Sequence, residues 1–264
     1  MNHWNIETEN SRKLRRTRIF ISLLLAIAGL VVIASQTIPL IMSYIDGIVE
    51  QKRVDAKVAP VPESYQKYIE DEFAFYDPGR SYFANLSAEF NVLGASAQYT
   101  YDSKTNQRVL VNIDTSYKKD MYIDIGSVGI KNIRIASNVE SSDEKTYNEY
   151  LRGGVAHFKG TPLPGDGGNS FIYGHSAVES FFSRHKDYPE TIFSRLGNID
   201  VGQNISIRKD DKTLEYVVRI KKIIEPEDFS VLQPTGDKET VTLMTCWPLG
   251  IGTKRLIVVA ERKI

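Results

Sequence analysis

The sequence has only one cysteine, Cys246, among its 264 residues. A single thiol excludes an intramolecular disulfide, so this side chain is left for inert packing or for chemistry. The residues around it are a polar strand end, a turn at 247–252 and an arginine, Arg255. These surroundings favour a nucleophile over a core residue, because a nucleophilic thiol needs a proton partner and a nearby positive charge.

Charge of either sign is missing from residues 19–45, although the whole chain carries 33 basic and 33 acidic residues. A run of this length can cross a bilayer, which takes roughly 20 apolar residues. Residues 1–18 hold five basic and two acidic side chains, and this basic flank predicts a cytoplasmic tail, with the chain after the span outside the cell. We therefore expect a single-pass signal anchor over 19–45 in the cell membrane, contacting the lipid bilayer. A cleaved signal peptide is the alternative, but the apolar run exceeds the usual length of its apolar core.

Metal-ligand spacings, nucleic-acid-binding signatures and a basic surface patch are also missing from the sequence. His3, His157 and His185 have no ligand partners at a useful spacing, so we expect all three to be structural or surface residues. The acidic residues between 140 and 149 match no calcium loop and are typical of a solvated helix face. We predict no metal, no cofactor and no nucleic-acid partner.

From residue 121 onward the chain contains short apolar runs separated by turn-forming residues. The runs predict a mostly β domain over 119–264, closed into a barrel or a sandwich, with a short helix over 142–152 capped by Ser141 or Ser142. The expected strands include 170–174, 204–207, 214–224, 240–246 and 255–261.

Residues 46–118 have a more mixed composition and predict a stalk, a linker or a lid-like extension. Apolar residues at helical spacing favour a helix over 63–75, and the run 108–113 favours a strand. A Pro-rich break at 59–62 precedes that helix.

The period of two in a strand relates the cysteine to its neighbours in the sequence. Thr242, Met244 and Cys246 share one face of their strand. Arg255 opens the next strand, so an antiparallel pairing across the short loop brings it back toward Cys246. His175 ends its own predicted strand. A thiol can carry a reactive acyl intermediate, and an imidazole can move the protons that such a reaction requires.

Several motifs, taken together and in this order, resemble those of the sortase family. Residues 242–246 (Thr-Leu-Met-Thr-Cys) and 255–258 (Arg-Leu-Ile-Val) resemble the family signature around its cysteine and arginine. Residues 157–165 resemble the approach loop, and 168–175 resemble the run that ends in the catalytic histidine. The similarity covers residues 121–262.

The resemblance implies an eight-stranded sortase-type β-barrel and a cysteine transpeptidase without a cofactor. Its substrates would be secreted proteins with a C-terminal LPxTG-like sorting signal, and its acceptor an amine of a cell-wall precursor. Carried over to this chain, Cys246 matches the nucleophile, His175 the acid and base, and Arg255 the residue that holds the oxyanion or positions the substrate.

Two other functions stay open from the sequence. The first is a pilin polymerase with a lysine side chain as acceptor, because the loop from cysteine to arginine has the length of class C, D or E sortases. Asp77-Pro78 partly matches the lid motif of pilus-building sortases, with Gly79 in the aromatic position. The second is a catalytically inactive surface binding module, which the intact set of three side chains disfavours.

Overall fold

The structure is a computed structural model that describes residues 3–55, 82–92, 99–101, 108–111, 113–178, 181, 184, 188–233 and 238–263. The chain divides into two compact units, Met1–Met42 and Ser43–Ile264. One continuous helix, α1, spans His3–Asp55. By length and composition alone, its stretch Leu14–Arg53 could cross a membrane, and it is the one such helix in the described part of the chain.

Eight strands, paired both antiparallel and parallel, close into a barrel, which is the outcome that the resemblance of the motifs implied. Around the barrel their order is β10, β8, β7, β3, β4, β5, β6 and β9, with parallel pairs at β4–β5 and β6–β9. The strands are β3 (Met121–Ile125), β4 (Ile130–Val139), β5 (Val155–Phe158), β6 (Asn169–Tyr173), β7 (Asn204–Lys209), β8 (Lys212–Ile224), β9 (Thr240–Trp247) and β10 (Lys254–Arg262).

Alternation along the strands divides the buried residues between the inside and the outside of the barrel. The inner cluster is mainly aliphatic and includes Leu243 and Leu256, both fully buried. The outer cluster contains their sequence neighbours Met244 and Ile257 and is rich in aromatic residues. Because side chains alternate between the faces of a strand, β9 and β10 contribute to both clusters.

Two helices and a 3-10 turn cover the outer cluster. The helices are α2 (Tyr82–Val92) and α3 (Glu144–Leu151), and the turn spans Phe229–Leu232. Further 3-10 segments lie at Gly126–Val128 and Pro189–Asn198. A separate hairpin pairs β1 (Tyr99–Tyr101) with β2 (Arg108–Leu110). The predicted helix over 63–75, the break at 59–62 and Asp77-Pro78-Gly79 lie outside the described residues.

Strand β5 is absent from the sequence prediction, which gave no element to residues 153–156 and placed 157 and 158 in the approach loop. All four of its residues are buried, and it pairs with β4 on one side and β6 on the other. A short strand buried on both faces has no apolar–polar alternation, so the usual sequence signal is missing.

The cap of α3 also differs from the prediction. Asp143 is the capping residue, and its carboxylate accepts from the Thr146 backbone N–H at 2.8 Å. The two predicted serines bond elsewhere: the Ser141 hydroxyl lies 2.7 Å from the Tyr173 hydroxyl, and Ser142 donates to Glu140 at 3.0 Å. Aspartate and serine are equally good caps, so the sequence could not rank them.

The loop between the last two strands is shorter than expected, because β9 and β10 each extend by one residue. It runs from Pro248 to Thr253, which is six residues and not about eight. Strand β6 ends at Tyr173, so His175 follows the strand end by two residues.

Candidate active site

The three candidate side chains lie on three neighbouring segments at one level of the barrel wall. Strand β9 sits between β6 and β10. Cys246 and Arg255 are direct cross-strand partners in the β9–β10 pair. On the other side Tyr173 is the partner of Met244, so His175, two residues later, comes level with Cys246.

The same register determines which way these side chains point. Tyr173 and Met244 both belong to the outer cluster, and residues two positions further on share their face. Cys246 therefore follows Met244 to the outer side, and Arg255 joins it as its cross-strand partner. His175, which lies beyond the end of β6, is on the same side because its ring contacts Asn148 on α3, the helix that covers the outer cluster. Cys246 is partly exposed, whereas Arg255 is 8% exposed.

Hydrogen bonds join the histidine segment to the cysteine segment. The Gly174 N–H donates to the Met244 carbonyl at 3.1 Å, and the Thr245 hydroxyl donates to the Gly174 carbonyl at 2.9 Å. The Ser176 hydroxyl donates to the carbonyl of Cys246 itself, also at 2.9 Å. These bonds fix the backbone on both sides of His175 relative to Cys246.

His175 is oriented by Asn148 on α3. Its Nε2 lies 2.9 Å from the side-chain oxygen Oδ1 of Asn148. Because an amide oxygen only accepts, Nε2 carries the proton and Nδ1 keeps its lone pair. Burial lowers the pKa of His175 below its ordinary value, against the smaller opposing effects of Glu190 and Glu144. The imidazole is thus held neutral, with one nitrogen able to accept a proton.

Arg255 presents a buried guanidinium that is only partly bonded. Its Nη1 donates to the carbonyls of Gly252 at 2.7 Å and Lys254 at 2.8 Å, which fixes the plane of the group. Within the described residues its Nε has no hydrogen-bond partner. A buried donor without a partner is costly, so this group has the capacity to bind an oxygen that arrives with a ligand.

Helix α2 covers this face next to the arginine. The guanidinium carbon of Arg255 lies 4.4 Å from the ring centre of Tyr82, the first residue of the helix. Phe83 packs against Tyr173 with ring centres 4.0 Å apart, and Leu86 is fully buried. Burial raises the pKa of Tyr82, with smaller effects from Arg255, which lowers it, and from Asp228 and Cys246, which raise it.

Two of these contacts were not found by sequence reasoning. Asn148 lies in a helix that the sequence predicts, but a single asparagine carries no signal of its partner. Tyr82 follows the partial lid motif at 77–79 by three residues, and only the fold brings its ring to Arg255. His157 is fully buried, and its ring bonds Asn138, Pro162 and Thr161, none of which is a candidate residue. Among the described residues no group of three or more His, Cys, Asp or Glu could hold a metal.

Comparison with known proteins identifies the family to which the chain belongs. The model of the sortase domain matches residues 123–263, more than half of the chain. The chain belongs to the sortase family. This confirms the resemblance seen in the sequence motifs.

Individual sortases are similar to parts of the chain. Sortase D of Bacillus subtilis (strain 168) is 26% identical over 122 residues, which cover 45% of this chain and 55% of the length of that relative. The chain therefore matches just over half of that sortase. Among solved structures, sortase C-1 of Actinomyces oris is 25% identical, with a TM-score of 0.46 over 75% of this chain and 99% of its own. Sortase A of Corynebacterium diphtheriae is 21% identical, with a TM-score of 0.46 over 87% of this chain and 94% of its own.

Proposed function

We propose that the chain is a membrane-anchored cysteine transpeptidase. It cleaves an LPxTG-like sorting signal of secreted proteins and transfers the acyl part to an amine of the cell wall. The observation that carries the proposal is the shared level and shared face of Cys246, His175 and Arg255 on adjacent segments of the barrel. Membership of the sortase family supports the same chemistry.

In the first half of the reaction the peptide is cleaved. The sulfur of Cys246 attacks the carbonyl carbon of the scissile peptide bond, and its proton passes to the neutral His175. The carbonyl oxygen becomes an oxyanion, for which Arg255 offers the unpartnered Nε–H. The C–N bond then breaks, the leaving nitrogen takes the proton from His175, and a thioester remains on Cys246.

In the second half the thioester is transferred to the acceptor. The incoming amine attacks the thioester carbon, and His175 removes a proton from its nitrogen. The C–S bond breaks, an amide forms, and the departing sulfur recovers the proton from His175. Burial of the imidazole suits both halves, because the lowered pKa of His175 keeps it available as a base at neutral pH.

The proposed location follows from the N-terminal helix. The apolar stretch within Leu14–Arg53 is long enough to anchor the chain, and the basic residues before it favour a cytoplasmic N-terminus. The barrel would then face the outside of the cell membrane, where secreted proteins and cell-wall precursors meet it.

The test uses the full chain in detergent with a library of LPxTG-type peptides and a small amine. We expect an amide product and, by mass spectrometry, an acyl group on Cys246, which the Cys246→Ala variant lacks. If no peptide gives an acyl-enzyme or an amide that depends on Cys246, the proposed transpeptidase activity is wrong.

A second candidate, the pilin polymerase, is favoured by the position of α2. The contact of Tyr82 with Arg255 covers the outer face where a peptide would lie, as a lid would. We expect Tyr82→Ala to increase the rate at which a small alkylating reagent modifies Cys246. The matched control is Tyr122→Ala, because Tyr122 also lies against an arginine, Arg208, but on β3 across the barrel.

The acceptor distinguishes the two candidates directly. A wall-anchoring enzyme uses the terminal amine of a short wall-like peptide, whereas a pilin polymerase uses a lysine side chain within a folded protein. Parallel reactions with both acceptors, read by mass spectrometry, separate them. An equal rate for Tyr82→Ala and wild-type chains in the alkylation assay would remove the argument for a lid.

A further inference from the structure

A buried lysine of the barrel is paired with a carboxylate that lies outside the sheet, on α1. The side chain of Lys221 on β8 is 5% exposed. Its Nζ lies 2.6 Å from the Gly197 carbonyl and 2.5 Å from a carboxylate oxygen of Glu50, on the last turns of α1. A buried ammonium group is expensive without an opposite charge, so the Glu50 carboxylate is a requirement of this site.

The same turns of α1 carry a second attachment to the barrel. Arg53 bonds the other oxygen of Glu50 at 2.9 Å and lies 3.5 Å from the carboxylate of Asp200. Ser43, 7% exposed, is buried one turn before Gly47. Residues 43–53, which we call the clasp, belong to the same compact unit as the barrel.

One turn before Glu50 the clasp touches the segment that follows the nucleophile. A Cβ atom on Gly47 would lie 2.5 Å from Cγ and 2.8 Å from Cβ of Pro248, and 3.4 Å from the indole nitrogen of Trp247. Only a glycine permits this approach, since real Cβ contacts are not this short. The backbone of the clasp therefore lies directly on the two residues after Cys246.

On the histidine side, the same segment contacts the loop that carries His175. A Cβ atom on Gly250 would lie 2.1 Å from Cγ1 of Val178. The Ser176 hydroxyl bonds the Cys246 carbonyl, and the Gly252 carbonyl receives Arg255. Residues 246–252 are therefore held by the clasp at Gly47 and by the histidine loop at Ser176 and Val178.

We propose that the clasp positions the Cys246–Gly252 segment for reaction, with Glu50 as a positioning residue that acts through Lys221 and Gly47 as the contact point. The inference rests on the proposed function for its link to catalysis. In this proposal the end of the membrane helix supports the active-site segment in addition to anchoring the chain. A domain cut within residues 43–53 would keep the three reacting side chains but lose this support.

The test uses the full chain in detergent and two variants with matched controls. Glu50→Gln keeps the shape but removes the charge, and its control is Glu140→Gln, whose carboxylate pairs with Lys159 at 3.1 Å on the surface. Gly47→Ala raises the helix propensity at this position, but the added Cβ atom would clash with Pro248 and push the two segments apart. Its control is Gly29→Ala in the same helix, where a Cβ atom would meet nothing within 4 Å.

The first measurement is alkylation of the thiol, because Cys246 is the single cysteine and labelling reports on it alone. We expect the rate to change about threefold or more in Glu50→Gln and Gly47→Ala and to stay at the wild-type value in both controls. The second is peptide turnover, for which we expect kcat to fall about tenfold with KM nearly unchanged, as for a loss of alignment in the transition state.

The outcomes separate this inference from the proposed function. Wild-type alkylation rates in both variants would overturn the positioning role, even if the variants unfold at a lower temperature. If the two variants change the alkylation rate but the wild-type chain turns over no peptide, the clasp is supported and the transpeptidase proposal is contradicted. If a variant does not fold, the other variant of the pair decides, because one acts through charge and the other through shape.

Discussion

The two faces of strand β9 differ in what surrounds them. The inner face meets the other strands of the barrel and the 3-10 segment Pro189–Asn198, and its cluster is mainly aliphatic. The outer face meets two helices and a 3-10 turn, and its cluster contains most of the close aromatic pairs. The inner side chains are Val241, Leu243, Thr245 and Trp247, and the outer ones are Thr242, Met244 and Cys246.

This difference indicates that the inner face mainly stabilises the fold, whereas the outer face carries the candidate site. The inner face is closed by the strands and the 3-10 segment Pro189–Asn198, so it depends mainly on apolar side chains of the right size. The outer face is completed by added elements, and where they leave Cys246 partly exposed a substrate can reach it. Changes on the inner face should therefore alter stability, and changes at the outer rim should alter chemistry.

The largest expected effect is on activity alone. Replacing Cys246 by alanine removes the proposed nucleophile, and we expect transpeptidation to fall at least about 10³-fold. Because the side chain is partly exposed, the free energy of unfolding should change by less than about 1 kcal/mol. Turnover and chemical denaturation of the same preparation check both values. A loss of stability as large as that of a core variant would break the separation between the faces.

The opposite pattern, a loss of stability with unchanged reactivity of the thiol, is expected for an inner-face residue of the same strand. Leu243 is fully buried, and its replacement by alanine should lower the free energy of unfolding by about 2–5 kcal/mol through lost contacts and a cavity. The exposed control Val201→Ala should cost no more than about 0.5 kcal/mol. In conditions where Leu243→Ala is folded, its thiol should be alkylated at the wild-type rate. A clearly altered rate would mean that the two faces are coupled.

The buried His157 allows the inner face to be tested through the pH dependence of the free energy of unfolding. By strand alternation His157 shares the face of Val155, and it is fully buried, with Nδ1 accepting from the Asn138 N–H at 3.3 Å. Burial lowers the pKa of His157 from 6.5 to about 4. The folded state therefore favours the neutral ring. The resulting stability is complete above pH 6.5 and is lost as the pH falls toward 4.

The loss at pH 4 should be about 3 kcal/mol, from a shift of this size at 1.36 kcal/mol per pH unit. His175 shifts in the same direction, so the comparison is between the wild type and His157→Gln. Urea denaturation at pH 7.5 and pH 4 should give a smaller change with pH in the variant. Equal changes in both proteins would mean that His157 is not the group responsible.

The sequence predicts the inner face better than the outer one. The alternation of β8, β9 and β10 is readable because each strand is long and its apolar positions recur. Cys246 and Arg255 are also predictable neighbours, because a short loop joins their strands. His175 required the family motif, since the parallel pairing of β6 with β9 joins strands far apart in the chain. The contacts of Asn148, Tyr82 and Gly47 depend on the packing of helices, for which local sequence has no signal.

The smallest expected effect is on activity, at the outer rim, where Asn148 orients His175. Asn148 holds Nε2 of His175 as the donor nitrogen, so Asn148→Ala should release the ring from one tautomer and lower kcat about tenfold. Asn148→Asp keeps the acceptor and adds a negative charge, which raises the pKa of His175. Since the protonated ring cannot act as a base, the acidic limb of the kcat/KM profile should move to higher pH.

A purely structural role for Asn148 makes a different prediction, and the pH profile separates the two. If the amide only joins α3 to the histidine loop, Asn148→Ala should lower the temperature of unfolding but leave kcat and the acidic limb of the folded enzyme at their wild-type values. The control is Asp143→Asn on the same helix, because asparagine caps a helix as well as aspartate. A lower kcat in folded Asn148→Ala, together with movement of the limb in Asn148→Asp and neither change in the control, would support a role for the outer face in the proton transfer.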